Sequence, residues 1–247
     1  MHLQAPLLRI SAAIGWFTST TKLPASTSME SSKLEVQYLF GGSQPWNTST
    51  LVWAAVDDRV RGGSSQSYLE PLNHNGKQSA KFYGVLDTTT LGGAGFASRS
   101  TRAVSGTHSS DETTWDLSSY DGLSLAINSA DDKTYTLTLK DELPRDKRSD
   151  GRERSGISWE AVFNVPATEG DQEGMSVKQS NETTGIIVEI PWASFKATYR
   201  GRDVPDVKPL ETKTIHAFSL LMRSFFEKQD GEFELIVDYI AASRFAE

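Results

Sequence analysis

The feature that most constrains the fold is an apolar residue at every second position, repeated along most of the chain. Leu123, Leu125 and Ile127 alternate with Ser124 and Ala126, and Tyr135, Leu137 and Leu139 alternate with Thr136 and Thr138. Ile157, Trp159, Ala161, Phe163 and Val165 continue the pattern, as do Ile186, Val188 and Ile190, and then Phe233, Leu235, Val237 and Tyr239. A period of two places such residues on one face of an extended backbone, so each stretch predicts a half-buried antiparallel strand. Turn residues separate them at Asp121-Gly122, Ala130-Asp131-Asp132, Asn181-Glu182-Thr183 and Asp230-Gly231. Short strands spaced by such turns predict an all-β sandwich or jelly roll. The one helical candidate is a short turn from Trp192 to Phe195, placed behind Pro191, whose fixed φ suits a first helical turn.

Residues 34–247 are assigned to one jelly-roll domain, and residues 1–33 to a leader or disordered tail. Met1 to Ser28 contains Arg9 and Lys22, no Asp or Glu, and many hydroxyl residues. This resembles a mitochondrial presequence, the alternative being a tail ahead of a start at Met29. The apolar run from Leu3 is interrupted by Gln4 and Pro6, which argues against a secretory signal. No stretch approaches the roughly 20 apolar residues of a membrane span. The chain has no cysteine, which excludes a disulfide framework, a thiolate metal site and a Cys nucleophile. Its net charge of −7, with the leader on the positive side of that balance, argues against nucleic acid or an anionic membrane as main partner.

Two segments interrupt the strand pattern. Asp141 to Gly156 is almost wholly charged and polar and predicts a solvated loop, while Arg202 to Thr214, with Pro205 and Pro209, predicts a surface crossover. Gly92-Gly93-Ala94-Gly95 resembles a phosphate cradle only at first sight. The sixth place holds Ser98 instead of glycine, and Phe96 onward reads as a strand, so a sheet-edge turn is expected. No G-x-S-x-G elbow occurs, and the four histidines lack metal-ligand spacing. His216 opens an apolar strand, where a structural role is expected. No cofactor, metal or catalytic residue is therefore expected, and the protein is read as one that binds. Trp46, Trp53, Trp115, Trp159 and Trp192 would make a sugar-stacking platform only if several shared an exposed face; burial in the core is the default.

The densest polar cluster is Asp57-Asp58-Arg59-Val60-Arg61-Gly62-Gly63, followed by Ser65-Gln66-Ser67. Asp58, Arg61, Gly63, Ser65, Gly93, Arg99 and Arg223 are the candidate binding residues. Glycines permit close backbone approach and arginines orient carboxylates or carbonyls. The competing expectation is that the same residues pin the two sheets together, with Asp58 paired to Arg61 or Arg99.

Taken in order, several motifs are similar to those of the complex I intermediate-associated protein family. They are Leu39-Phe40-Gly41-Gly42, Trp46, the Asp57 to Gly63 run, Leu91 to Arg99, Trp115 to Leu123, Tyr135 to Glu142, Ile157 to Glu160, Phe195 to Arg202, and Ser219 to Phe226 followed by Gly231 to Leu235. The resemblance spans roughly Leu39 to Ala242 and is greatest to the short, single-domain fungal branch. It implies a galactose-binding-like jelly-roll fold and a non-catalytic role in assembling mitochondrial respiratory complex I, the NADH:ubiquinone oxidoreductase. The implied partners are assembly intermediates or other assembly factors, in the matrix or on the matrix face of the inner membrane, with a cytoplasmic location as the alternative. The fold also resembles carbohydrate-binding modules, so a glycan is the alternative ligand.

Overall fold

The computed structural model describes residues 36–48, 51–74, 77–103, 113–144, 146–147, 149, 154–165, 170–172, 174–180 and 185–245. They form two antiparallel sheets around one core. The eight-stranded sheet contains β1 (Val36–Gly41), β3 (Gln66–His74), β4 (Lys77–Leu86), β6 (Gly122–Ala130), β9 (Gly170–Gln172), β10 (Met175–Gln179), β11 (Ile186–Pro191) and β15 (Gly231–Ser243). Its order is β3-β4-β15-β6-β11-β10-β9, with β1 paired to the second half of β15. The seven-stranded sheet contains β2 (Ala54–Ala55), β5 (Phe96–Arg102), β7 (Thr134–Lys140), β8 (Ser158–Asn164), β12 (Lys196–Tyr199), β13 (Arg202–Asp203) and β14 (Ala217–Arg223), in the order β13-β12-β8-β7-β14-β5-β2. This is the expected all-β jelly-roll sandwich.

The alternating residues meet between the sheets. Leu123, Leu125 and Ile127 of β6 and Tyr135, Leu137 and Leu139 of β7 are all buried in the same core, with Trp159, Phe163, Val188 and Leu235. Phe40 packs within 6.1 Å, centroid to centroid, of Trp46, Trp53, Trp115 and Phe218, stacked on the first and edge-to-face with the other three, closing one part of the core. Pro191 precedes a 3-10 turn, Trp192–Ser194, with Phe195 closing it, where the short helical turn was expected.

Three local features differ from or extend the sequence reading. Thr136 and Thr138 point away from the core yet are 0% and 7% exposed, because β7 lies mid-sheet between β8 and β14. The Arg202–Thr214 crossover does more than cover the surface: Val207 and Leu210 pack against the core. In the Asp141–Gly156 segment the described residues are exposed or half-buried, and Asp141 accepts a hydrogen bond from the Glu211 N–H at 3.0 Å. The remainder of that segment, the leader, His2, His108 and Asn181 to Thr183 lie outside the described residues.

Candidate functional site

The Asp57–Gly63 segment carries the chain from β2, at the edge of one sheet, to β3, at the edge of the other. Asp58–Arg61 makes a single 3-10 turn, closed by Gly62 in the left-handed region. Ser65 and Ser67, two apart on extended chain, meet the two aspartates in reverse order. The Asp57 carboxylate accepts from the Ser67 hydroxyl at 2.6 Å and the Ser67 N–H at 3.3 Å, and also from the Ser98 N–H of β5 at 3.0 Å. One carboxylate thus ties strands of both sheets together. Asp58, with no exposed surface, accepts from the Ser65 N–H at 3.0 Å, the Ser65 hydroxyl at 2.6 Å and the Phe96 N–H at 3.1 Å. A buried carboxylate is tolerated only when donors surround it, and these amides and hydroxyls do so. The expected Asp58–arginine pair is not made.

Gly63 is required by this arrangement. A Cβ there would lie 2.3 Å from Asp58 Oδ1. Ser65 Oγ also accepts the Asp87 N–H at 3.0 Å, extending the network to the loop before β5. In that loop the Thr89 and Thr90 hydrogen bonds hold the Asp87 carboxyl down to about 2. Arg99 reaches from β5 to the opposite sheet: its Nε and Nη2 donate to the Ser67 carbonyl, its Nη1 donates to the Trp53 carbonyl at 3.3 Å, and its guanidinium lies 5.7 Å from the Tyr68 ring. Ser67 lies on edge strand β3, so Asp57 and Arg99 occupy an N–H and a C=O that would otherwise invite strand pairing.

The glycine loop is stitched to the turn after β14. Gly93, at φ +90°, accepts the Ser224 hydroxyl at 2.9 Å and the Glu227 N–H at 3.2 Å, while Ser224 Oγ accepts the Gly95 N–H at 3.0 Å. Arg223 and Arg61 are placed differently from the other candidates. Arg223, on the side of β14 facing away from the core, pairs with Glu160 of β8 at 2.8 Å and lies 4.4 Å from the Phe225 ring. Arg61 is exposed, with its guanidinium 5.4 Å from the Phe96 ring. The structure therefore divides the seven residues. Asp58, Gly63, Ser65, Gly93 and Arg99 hold buried connections between loops and sheets, and Arg61 and Arg223 project outward at the same end of the sandwich.

Asp57, Ser67, Ser224 and Glu160 belong to the same constellation and were not singled out by sequence. The first two had a signal, an Asp-Asp pair followed by Ser-x-Ser. The last two had none, because their partners are remote in sequence. Among the described residues no group of three or more His, Asp or Glu side chains is placed to hold a metal ion. Trp46, Trp53 and Trp159 are buried, and Trp115 and Trp192 are half-buried against the core, so these five form no exposed platform. His216 is half-buried beside β14, its backbone N–H donating to the Lys140 carbonyl at 2.7 Å.

Two facing antiparallel sheets with hydrogen-bonded loops at one end define a jelly-roll β-sandwich. A solved structure with this architecture is the family 11 carbohydrate-binding module of a cellulosomal cellulase of Clostridium thermocellum, with a TM-score of 0.50 at 12% identity over 87% of this chain and 99% of that one. The same module in complex with a β-1,3-1,4-mixed-linked tetrasaccharide gives a TM-score of 0.49 at 12% identity, over 86% of this chain and 98% of that one. At such identity the likeness concerns the fold alone. Residues 39–237 match the model of the complex I intermediate-associated protein 30 family, and the chain belongs to that family. An uncharacterized protein of Schizosaccharomyces pombe is 40% identical over 205 residues, covering 83% of this chain and 82% of that protein.

Proposed function

We propose that the protein is a non-catalytic assembly factor for mitochondrial respiratory complex I, acting by binding a partner protein. The observation that carries this reading is the family match, which spans nearly the whole sandwich, from residue 39 to 237. The site geometry supports it. Two buried aspartates, Arg99 and Ser224 hold three loops in place before any partner arrives, and a preformed rim loses little conformational entropy on binding. In this reading Asp58, Gly63, Ser65, Gly93 and Arg99 set the shape of the binding end, and Arg61 and Arg223 touch the partner.

The partner is an assembly intermediate of complex I or another assembly factor, met in the matrix or on the matrix face of the inner membrane. The acid-free leader with Arg9 and Lys22 supports that location. A glycan-binding role draws only on the likeness of fold, and the tryptophans it would use are packed in or against the core. Deleting the gene and resolving complex I on a native gel tests the proposal. Complex I is expected to be depleted, with sub-assemblies accumulating; normal complex I in the deletion strain refutes it.

A further inference from the structure

The turn after β14 is the most strained part of the described backbone. Phe225, Phe226 and Glu227 have φ of +45°, +56° and +64°, three successive non-glycine residues in the left-handed region. L-residues visit that region as single positions because the Cβ crowds the following carbonyl, so a run of three persists only where surrounding contacts impose it. Here Ser224 imposes it from below. Its hydroxyl is bonded to Gly93 and Gly95, and its carbonyl accepts the Lys228 and Gln229 N–H groups at 2.9 and 3.3 Å. The product of this strain is a phenylalanine ring in water: Phe226 is 78% exposed.

The exposed ring continues an ordered row. Arg61 lies over Phe96, Phe96 is the cross-strand partner of Arg223, and Arg223 lies over Phe225, so guanidinium groups and rings alternate towards Phe226. Val60, 48% exposed, flanks the row beside Arg61. The charges are not balanced within it. Glu160 pairs with one nitrogen of Arg223, and among the described residues the Arg223 Nε–H has no acceptor and no carboxylate lies in salt-bridge range of Arg61. Glu160 neutralises Arg223, which leaves Arg61 as the unpaired positive charge of the row, and in a chain with a net charge of −7 this guanidinium beside apolar rings offers an anchor for apolar side chains and a local attraction for a carboxylate.

We propose that the Arg61–Phe96–Arg223–Phe225 row and the ring of Phe226 form the docking surface for an acidic segment of a client protein that also carries an apolar anchor. This rests on the assembly-factor reading and names the chemistry of its partner. The Arg61 guanidinium takes a client carboxylate, Arg223 is held under the rings by Glu160, the strained turn holds Phe226 in the position where a client apolar side chain covers it, and the buried aspartate network keeps the row in register.

The test replaces the chromosomal gene with Phe226→Ser, Phe226→Leu, Arg61→Gln, Arg61→Glu or Val36→Ser, an exposed residue paired with Ser243 at the far end of β15, beside a deletion, and measures complex I by native gel with melting temperatures of the purified full chains. Phe226→Ser and Arg61→Glu are expected to lower assembled complex I about tenfold without lowering the melting temperature, as for removal of a central interface anchor. Arg61→Gln should be milder than Arg61→Glu, which repels an acidic client, Phe226→Leu should be milder than Phe226→Ser because it keeps an apolar group, and Val36→Ser should assemble normally. Normal assembly in Phe226→Ser and Arg61→Glu, with a defective deletion strain, overturns this docking surface and leaves the assembly reading standing. Equal effects of Arg61→Gln and Arg61→Glu overturn the acidic assignment. Normal assembly in the deletion strain overturns the assembly reading itself.

Discussion

Removing the Asp58 carboxylate separates a pin from a contact. In Asp58→Ala three donors lose their acceptor, but their fates differ. The Ser65 hydroxyl can turn to the Asp87 carbonyl, which already lies 3.4 Å away. The Ser65 and Phe96 amides have no such alternative and are stranded in or near the core. Each unsatisfied amide costs about 1–3 kcal/mol, so the substitution should destabilise the protein by about 4 kcal/mol. For a domain of this size, that corresponds to a fall in melting temperature of roughly 8–16 °C. Asp58→Asn keeps one oxygen for the Ser65 amide but turns an NH2 group towards the Phe96 N–H, so about half the loss is expected. Urea titration and thermal melting of the two variants, followed by circular dichroism, measure this. If Asp58→Ala melts within about 2 °C of the wild type, the carboxylate is not a structural pin, and its three hydrogen bonds have been given the wrong role.

Arg99→Ala leaves the Ser67 and Trp53 carbonyls without their donors and should cost about 1–3 kcal/mol. Arg99→Lys should recover little of this in the same melt, because a single ammonium cannot reproduce the forked contact. Phe226→Gly removes an exposed ring from a left-handed position, relieving roughly 1–2 kcal/mol of strain against up to about 1 kcal/mol of added chain entropy. A small rise in melting temperature is expected, and a marked fall would refute the account of strain. Tyr135 gives the pH prediction: burial first, and its hydrogen bond to Asp131 at 2.8 Å second, raise its pKa above the ordinary value of 10.0. A folded-state pKa above the unfolded one means this contribution is complete below about pH 10 and is lost as pH rises beyond it. Absorbance at 295 nm should therefore show one tyrosine that ionises only as the protein unfolds in alkali.

Much of the fold is legible in the residues themselves. The alternations at Leu123–Ile127, Tyr135–Leu139 and Phe233–Tyr239 determine strands and their inward faces, because a period of two has only one core-facing solution. The glycine run at 92–95 reads as a turn ahead of a strand, which is what it builds. The ordered motifs also suffice for the family. Pairing is a different matter. Asp58 was expected to meet an arginine because opposite charges attract along the sequence, but the fold brings Ser65 and the Phe96 amide closer and buries the carboxylate where hydrogen bonds from neutral donors satisfy it. The Arg223–Glu160 pair and the Ser224–Gly93 stitch join residues 63 and 131 positions apart. Such contacts depend on strand order in space, which local pattern does not encode. The sequence by itself determined which residues face inward and which family they belong to. Only the tertiary structure decided which of the seven candidate residues hold the loops together and which project from the sandwich, because that division depends on burial and on donors supplied by other strands.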